Sequence, residues 1–410
     1  MRIQRLLFMG LAFALPGNLF PPAAWPQAAP PTAQVRARQL GVPFDGNPGP
    51  LDAITDVAGV EVGATTLISG SGPLKVGEGP IRTGVTVVLP RGKSSIDPVY
   101  AGWFSLNGNG EMTGTTWVEE SGLLAGPVGI TNTHSVGTVR DTMISWGLKH
   151  GVVGDAWSLP VVAETFDGFL NDINGFHVHP EHVISALDSA HGGPVSEGNV
   201  GGGTGMVCYG FKGGTGTASR VISKEFGGYT VGVLVQCNCG RRPQLTIAGV
   251  PVGREIPEGA PYAQLAPHPL APGSQLPGSE AAGDVGSIII VIATDAPLLP
   301  HQLKRLARRA TLGLARTGST SGNGSGDIFI AFSTANPGAD KDRGPGGGPN
   351  TVQTISTERI SPLFTATVEA TEEAIVNAMV GAETMTGRDN HTVIALPHDK
   401  LQQALKKYNR

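Results

Sequence analysis

Cysteine and charged residues are both scarce in this sequence. Its 410 residues include three cysteines, Cys208, Cys237 and Cys239, and only 15% of the residues are charged. Three cysteines are too few for a disulfide framework, and an odd number leaves at least one thiol unpaired, so we expect packed or half-buried thiols. The net charge is −4 without a long basic run, so the sequence does not support nucleic-acid binding.

Glycine, in contrast, is abundant, with 60 residues. Its lack of a three-residue period excludes a collagen-like chain. Because 40% of the residues are apolar, the chain can bury a sizeable core, and its low charge argues against disorder. The length exceeds that of one small domain but suits a large layered α/β domain that is rich in tight turns.

The first 28 residues have the pattern of a secretory signal peptide. Arg2 and Arg5 flank the start of an apolar core, and a small, proline-rich stretch follows with a cleavage site between about Ala24 and Ala29. The alternative is an N-terminal membrane anchor, although the apolar run is short for a span. We therefore expect an exported protein, periplasmic or secreted, with no membrane span once residues 1–28 are removed.

Groups of strands are interleaved with a few long helices along the rest of the chain. Strands are predicted from β-branched and apolar runs at 84–90, 229–238, 287–294, 324–334 and 391–397. Helices are predicted from the spacing of apolar residues at 180–191, 300–318 and 361–382. This order predicts sheets that are covered by helices.

Two stretches with many turn signals lie between these elements. Residues 101–122 contain two tryptophans and are predicted to form a strand–loop–strand region that lines a site. Residues 241–283 contain eight prolines and no sustained period, which predicts an exposed loop. A solvated segment just before residue 286 would tolerate a cut in the chain.

Ser287 stands at the start of an apolar run, directly after Gly286, in the stretch GDVGSIIIVIATDAPL. A serine hydroxyl is a poor nucleophile until a base takes its proton, and a free α-amine with a pKa of about 7.7–8.0 is such a base. Attack of this hydroxyl on the preceding carbonyl would free that amine, and Gly286 leaves the carbonyl sterically open. By spacing alone, however, a Gly–Ser pair before a strand is a common strand edge.

Seven stretches in a fixed order between residues 36 and 400 carry a family resemblance. They are GVTVVLP, AGWFSLNGNGEMTGTTWVEESG, GPVGITNTHSVG, LPVVAETFDGFLNDINGFHV, GGTGMVCYGFKGGTGTASR, TVGVLVQCNCG and VGSIIIVIATDAPLLPHQLKRLARRATLGLARTGSTSGNGSGDIFIAFSTAN. Together they resemble the self-processing L-aminopeptidase/D-alanine esterase-amidase family, which includes the β-peptidyl aminopeptidases. The resemblance implies an α/β fold, a four-layer α-β-β-α sandwich of the N-terminal-nucleophile-hydrolase type. The related ornithine acetyltransferases use a threonine nucleophile, where this chain has serine.

The resemblance also implies roles for five residues around the cut. Ser287 matches the nucleophile and Gly286 the residue before the cleaved bond. Ser325 and Asp327 match the serine and the acid that support the nucleophile, although GSGD alone would indicate a plain turn. Aspartate at 327, where β-peptidases have glutamate, favours the L-aminopeptidase branch. Asn238 matches the amide that donates to the oxyanion, a role typically worth about 10²–10³ in rate, although a lone strand-end asparagine is more often a turn former.

Three more residues are expected to bind the substrate. Glu164 resembles the acid that binds the free ammonium group of the substrate, which an aminopeptidase needs in order to recognise the N-terminus. Taken alone it would be a solvated loop acid. Asn107 and Trp103 are expected near the pocket.

Two other patterns are interpreted as structural. His177, His179 and His182 are close in sequence, but no cysteine or carboxylate cluster accompanies them, and a turn before a helix explains them. Residues 198–216 are glycine-rich, but they lack the G-K-[ST] ending of a phosphate loop, so hairpin turns are expected. Whether Lys212 lines the site is left open. We expect neither a metal nor another cofactor.

The sequence thus predicts an exported, self-processing serine aminopeptidase or amidase. Its subunits would be 29–286 and 287–410, which form one composite catalytic domain and assemble as a homo-oligomer of cleaved pairs. Its substrate would be a small peptide or an amino-acid amide or ester, with the choice between L-, D- and β-residues left open. Two alternatives remain, an acyl-transferring relative on the same scaffold and an exported binding protein without catalysis.

Overall fold

The computed structural model describes residues 34–95, 97–151, 157–261, 286–338, 340–341 and 344–410. The predicted signal peptide and residues 262–285 of the predicted loop lie outside the described residues. Residues 34–410 form one unit.

Two sheets make up most of the β-structure of the described residues. The strands are β1 Glu61–Ser69, β2 Ile81–Leu89, β3 Val99–Gly108, β4 Leu123–Leu124, β5 Val128–Asn132, β6 Val161–Thr165, β7 Val207–Cys208, β8 Phe211–Lys212, β9 Gly214–Val221, β10 Thr230–Asn238, β11 Ser287–Thr294, β12 Gly326–Ser333, β13 Met385–Thr386 and β14 Thr392–Val393. One sheet has the order β1-β2-β5-β6, and the other has the order β4-β3-β12-β11-β10-β9. Two small pairs, β7-β8 and β13-β14, stand apart.

The α-helices lie between and after these strands. They are α1 Thr115–Ser121, α2 Val136–Lys149, α3 Pro180–Ser189, α4 Val252–Glu255, α5 Pro300–Arg316, α6 Ser361–Val380 and α7 His398–Lys407. None of the helices in the described residues is long and apolar enough to cross a membrane.

Three apolar clusters connect the sheets and helices. One contains residues from the facing sides of both sheets, so the two sheets pack on each other. A second joins the β1-β2-β5-β6 sheet to α2 and α3. The third joins the six-stranded sheet to α5 and α6. Each sheet therefore has one face on the other sheet and one face on helices.

Strand β11 lies in the middle of the six-stranded sheet and is apolar on both faces. Ile288, Ile290 and Ile292 pack into the cluster with the helices, whereas Ile289 and Val291 pack into the cluster between the sheets. A continuous run of β-branched residues is typical of a strand that is covered on both sides. The run begins directly after Ser287, so this residue lies at the first position of the strand.

Two sequence predictions are wrong in part. The second half of 101–122 forms helix α1, not a strand, because Gly114 and Gly122 adopt left-handed conformations at its two ends. The loop predicted over 241–283 is partly packed between 242 and 256, where Leu245, Ile247 and Val252 are buried in the core. The prolines of this segment mark turns of a packed segment. The number of prolines alone does not distinguish such a segment from an exposed loop.

Helix α6 is amphipathic by prediction, but it is buried on nearly all sides. Helix α5 packs against it on one side, β9 and β10 contact it as well, and its C-terminal half meets residues near Ala37. The final predicted strand, 391–397, shortens to β14, and α2 and α7 are helices that the sequence analysis did not predict.

Candidate active site

Sheet register brings the predicted catalytic residues to one end of β11. In the antiparallel pair with β10, Ser287 lies opposite Asn238. In the parallel pair with β12, Ile288 is the partner of Asp327. Ser287 therefore sits between the two strands that carry the predicted oxyanion donor and the predicted supporting acid.

Ser287 is only 5% exposed. Its hydroxyl oxygen accepts a hydrogen bond from the backbone N–H of Gly326, at 3.0 Å. This donor leaves the hydroxyl oxygen held in place at the start of β12. A backbone N–H has no side-chain signature, so the sequence analysis did not identify Gly326 as a neighbour of the predicted nucleophile.

Ser325 and Asp327 form a buried hydrogen-bonded pair beside Ser287. Ser325 Oγ is 3.1 Å from Asp327 Oδ2 and 2.9 Å from the carbonyl oxygen of Gly322. Asn107 Nδ2 donates to Ser325 Oγ at 3.0 Å and to the Gly322 carbonyl at 2.6 Å. Asn107, expected to bind substrate, is thus engaged in holding the Ser325 loop.

Gly286 occupies a place with no room for a side chain. A Cβ atom on this residue would lie 2.3 Å from the carbonyl oxygen of Asn238 and 2.7 Å from the Cα of Cys239. Both contacts are with the backbone of β10, which cannot rotate away as a flexible side chain could. The residue before Ser287 must therefore be glycine if β10 is to keep its position.

Asn238 is held by two contacts that fix its amide. Its Oδ1 accepts from the N–H of Val207 at 2.7 Å, and its Nδ2 donates to the carbonyl oxygen of Phe166 at 3.1 Å. An amide nitrogen has two hydrogens, so this arrangement allows a second hydrogen bond. Because both anchoring atoms belong to the backbone, sequence reasoning could not identify them.

Glu164 is at the carboxyl end of β6 and is only 4% exposed. Its Oε1 accepts from the N–H of Glu111 at 3.0 Å, and its Oε2 accepts a short hydrogen bond from Thr133 Oγ1. Burial raises the pKa of Glu164, while the hydrogen bonds from Thr133 and Glu111 oppose that rise. A buried carboxylate of this kind strongly favours a cationic partner.

Glu164 and Ser287 both lie near Gly110 and Gly326, although they come from different sheets. A Cβ on Gly110 would lie 3.3 Å from Glu164 Oε1 and 3.1 Å from the Cα of Gly326, whose N–H binds Ser287 Oγ at 3.0 Å. These contacts bound the distance from Glu164 Oε1 to Ser287 Oγ to about 11 Å at most. That range accommodates the N-terminal residue of a peptide.

Trp103 lies farther along β3, opposite Ile330, and packs against the cluster between the sheets. Its indole Nε1 is buried and has no hydrogen-bond partner among the described residues. Its predicted role in substrate binding stays a prediction.

The three histidines of 177–182 and the glycine-rich stretch 198–216 make local structural contacts. His177 Nε2 is 2.9 Å from Asp172 Oδ2, and His179 N–H donates to the ring of His182 at the start of α3. In the glycine-rich stretch, β7 and β8 pair as a hairpin. Lys212 is fully buried and donates to backbone carbonyls, so it does not line an open site.

Known proteins resemble this chain over nearly its whole length. A β-peptidyl aminopeptidase, BapA, of Sphingosinicella microcystinivorans is 56% identical over 382 residues, which are 92% of this chain and 93% of that protein. A solved structure of a Burkholderia sp. β-aminopeptidase is 47% identical, with a TM-score of 0.79, and covers 91% of this chain and 99% of its own.

A second solved structure is the L-aminopeptidase D-Ala-esterase/amidase of Ochrobactrum anthropi, described as a prototype for the serine aminopeptidases and a variant of the Ntn hydrolase fold. It is 48% identical, has a TM-score of 0.81, and covers 92% of this chain and 99% of its own. The profile of peptidase family S58 matches residues 52–393.

The fold and these comparisons define an aminopeptidase, a hydrolase that is built on mixed sheets and helices. Within that class, the chain belongs to peptidase family S58, as its match over most of its length shows. The predicted resemblance to the L-aminopeptidase/D-alanine esterase-amidase and β-peptidyl aminopeptidase family is confirmed.

Proposed function

We propose that this chain is a self-processing serine aminopeptidase that cleaves its own Gly286–Ser287 bond and then uses Ser287 as nucleophile. The observation that carries the proposal is the position of Ser287 at the start of β11, with Asn238 and Asp327 on the neighbouring strands. The layers follow one another as helices, a sheet, a second sheet and helices, which also supports the four-layer α-β-β-α sandwich.

Processing would begin with attack of Ser287 Oγ on the carbonyl carbon of Gly286. The Oγ–C bond forms and the C–N bond to residue 287 breaks, so the backbone is carried as an ester and the nitrogen leaves as an amine. Water then hydrolyses the ester, which gives a Gly286 carboxylate and restores the Ser287 hydroxyl. The missing Cβ on Gly286 leaves the approach to its carbonyl open.

The mature site would perform acyl transfer to water. The freed amine of Ser287, whose pKa is about 7.7–8.0 when unperturbed, accepts the hydroxyl proton while Oγ attacks the first carbonyl of the substrate. Ser325 and Asp327 orient this amine, and Asn238 donates to the oxyanion. Glu164 binds the substrate ammonium, which places the first peptide bond at Ser287.

The substrate class we propose is a short peptide, amide or ester with a free N-terminal amine and a β-amino acid as first residue. The 56% identity to a β-peptidyl aminopeptidase supports this choice. It runs against the expectation from Asp327, which favours the L-aminopeptidase branch.

A panel of p-nitroanilides of L-, D- and β-amino acids, each with a free or an acetylated amine, tests the proposal. The processed chain is expected to release p-nitroaniline from the free-amine β-compounds without any added amine acceptor, and Ser287→Ala is expected to abolish release. Ser145→Ala, on helix α2, is the matched control and should leave both processing and release unchanged.

The alternatives give different results in the same panel. Release only in the presence of an amine acceptor would favour the acyl-transferring enzyme. An unprocessed band and no release from any compound would favour a binding protein. Assembly into an oligomer of cleaved pairs and export to the periplasm or medium remain proposals, which light scattering and cell fractionation would test.

A further inference from the structure

All the cysteines of the chain lie together in one buried cluster. Cys208 Sγ is 3.7 Å from Cys239 Sγ, Cys237 Sγ is 3.8 Å from Cys239 Sγ, and all three sulfurs lie within 4.8 Å of one another. None forms a disulfide, and each is at most 2% exposed. The residues come from β7 and from the end of β10, which are far apart in sequence but adjacent in the fold.

These spacings match those of thiolates around one metal ion. With metal–sulfur bonds of about 2.3 Å, the sulfurs of a tetrahedral or trigonal site are about 3.8–4.0 Å apart. A metal could therefore enter between the three sulfurs with little movement of the strands. Among the described residues, no histidine or carboxylate joins this group as a fourth ligand.

We propose that Cys208, Cys237 and Cys239 form a site for a soft monovalent metal ion, Cu(I). Soft thiolate ligands select Cu(I), zinc and iron–sulfur clusters. Zinc in structural sites takes four ligands, whereas only three sulfurs are offered here. The metal displaces thiol protons when it binds, so the affinity of the cluster for Cu(I) should rise with pH. The sequence analysis predicted no metal, and this site was hidden because its ligands are distant in the chain.

The cluster is joined directly to the proposed oxyanion residue. Asn238 lies between Cys237 and Cys239, and its Oδ1 is bound by Val207, the neighbour of Cys208. Tyr209 N–H also donates to the Cys239 carbonyl, which ties the two strands together. Cu(I) in the cluster should therefore change the rate of any reaction that uses Asn238, although its binding is independent of that reaction.

The test is an anaerobic titration of the reduced, full chain with Cu(I) against a chromophoric Cu(I) chelator. One Cu(I) per chain is expected, with a sulfur-only first shell by X-ray absorption and a higher melting temperature when loaded. Since these are the only cysteines, any thiolate signal reports on this cluster. Failure to take Cu(I) from the chelator, or nitrogen ligands in the absorption spectrum, would overturn the proposal.

Single serine variants separate the cluster from accidental binding elsewhere. Cys208→Ser and Cys239→Ser should each weaken Cu(I) binding by more than about 100-fold, because loss of a ligand costs more than loss of an outer-shell partner, which typically costs about 10- to 100-fold. His182→Ala, at the start of helix α3, should bind as the wild type does. If the serine variants fail to fold, the X-ray absorption spectrum of the Cu(I)-loaded wild type still tests the proposal through its ligand atoms. A Cys208–Cys239 disulfide in protein isolated from the exported fraction, found by mass analysis, would also overturn the proposal.

Discussion

The tight space around Gly286 makes Gly286→Ala the most informative single change. The new Cβ would lie 2.3 Å from the carbonyl oxygen of Asn238, whereas ordinary contacts begin near 3.4 Å. Residue 286 must therefore shift by about 1 Å relative to β10, and a misplacement of that size can slow a positioned reaction about 100-fold. We expect self-cleavage of Gly286→Ala to be slower by about that factor.

The assay follows the intact chain by denaturing gel after synthesis in a cell-free system, so that the time course of cleavage is resolved. Gly137→Ala is the matched control, because a Cβ there meets nothing within 4 Å. Circular dichroism confirms that the uncleaved variant has folded. Cleavage of folded Gly286→Ala at the rate of Gly137→Ala would refute the argument from close approach.

The buried acids Glu164 and Asp167 lead to further expected outcomes. Glu164→Gln removes a charge-assisted hydrogen bond worth about 1.5–3 kcal/mol. The kcat/KM for free-amine substrates should therefore fall about 10- to 100-fold, while self-cleavage continues. An unchanged kcat/KM would exclude the binding of the substrate ammonium by Glu164. Burial raises the pKa of Glu164, so the wild-type kcat/KM should fall as pH drops through a value above 4.5, and a pH profile of Glu164→Gln without that limb checks it. Burial raises the pKa of Asp167 from 3.8 to about 7. The folded chain thus keeps a proton on Asp167 that the unfolded chain releases. The free energy of unfolding should therefore fall as pH rises from 4 to 7, by at most about 1.4 kcal/mol per pH unit. Urea titrations of Asp167→Asn should lack this pH-dependent fall.

Much of the site could be predicted because strand register follows from apolar pattern. The run after Ser287 is apolar on both faces, so it had to be a central strand, and its first residue had to be at the sheet edge where β10 ends and β12 begins. Chemistry at that position was then open to reasoning from residue types. The roles themselves came from the resemblance.

What the sequence did not reveal depends on backbone groups and on distant contacts. The Gly326 N–H that binds Ser287, and the Val207 N–H that fixes Asn238, are donors that every non-proline residue has. The contact of Asn107 with Ser325 depends on pairing of β3 with β12, over two hundred residues apart. Local pattern also misassigned α1, since its glycine caps resemble loop glycines.

The central claim is that the chain opens before residue 287 and that the new terminus is the active group. The most direct test is N-terminal sequencing and intact-mass analysis of the active enzyme, with the amount of the new terminus compared with activity. We predict a fragment that starts at Ser287, in an amount that rises in step with activity, and a single inactive chain for Ser287→Ala. Full activity in a chain whose Gly286–Ser287 bond is whole would contradict the account.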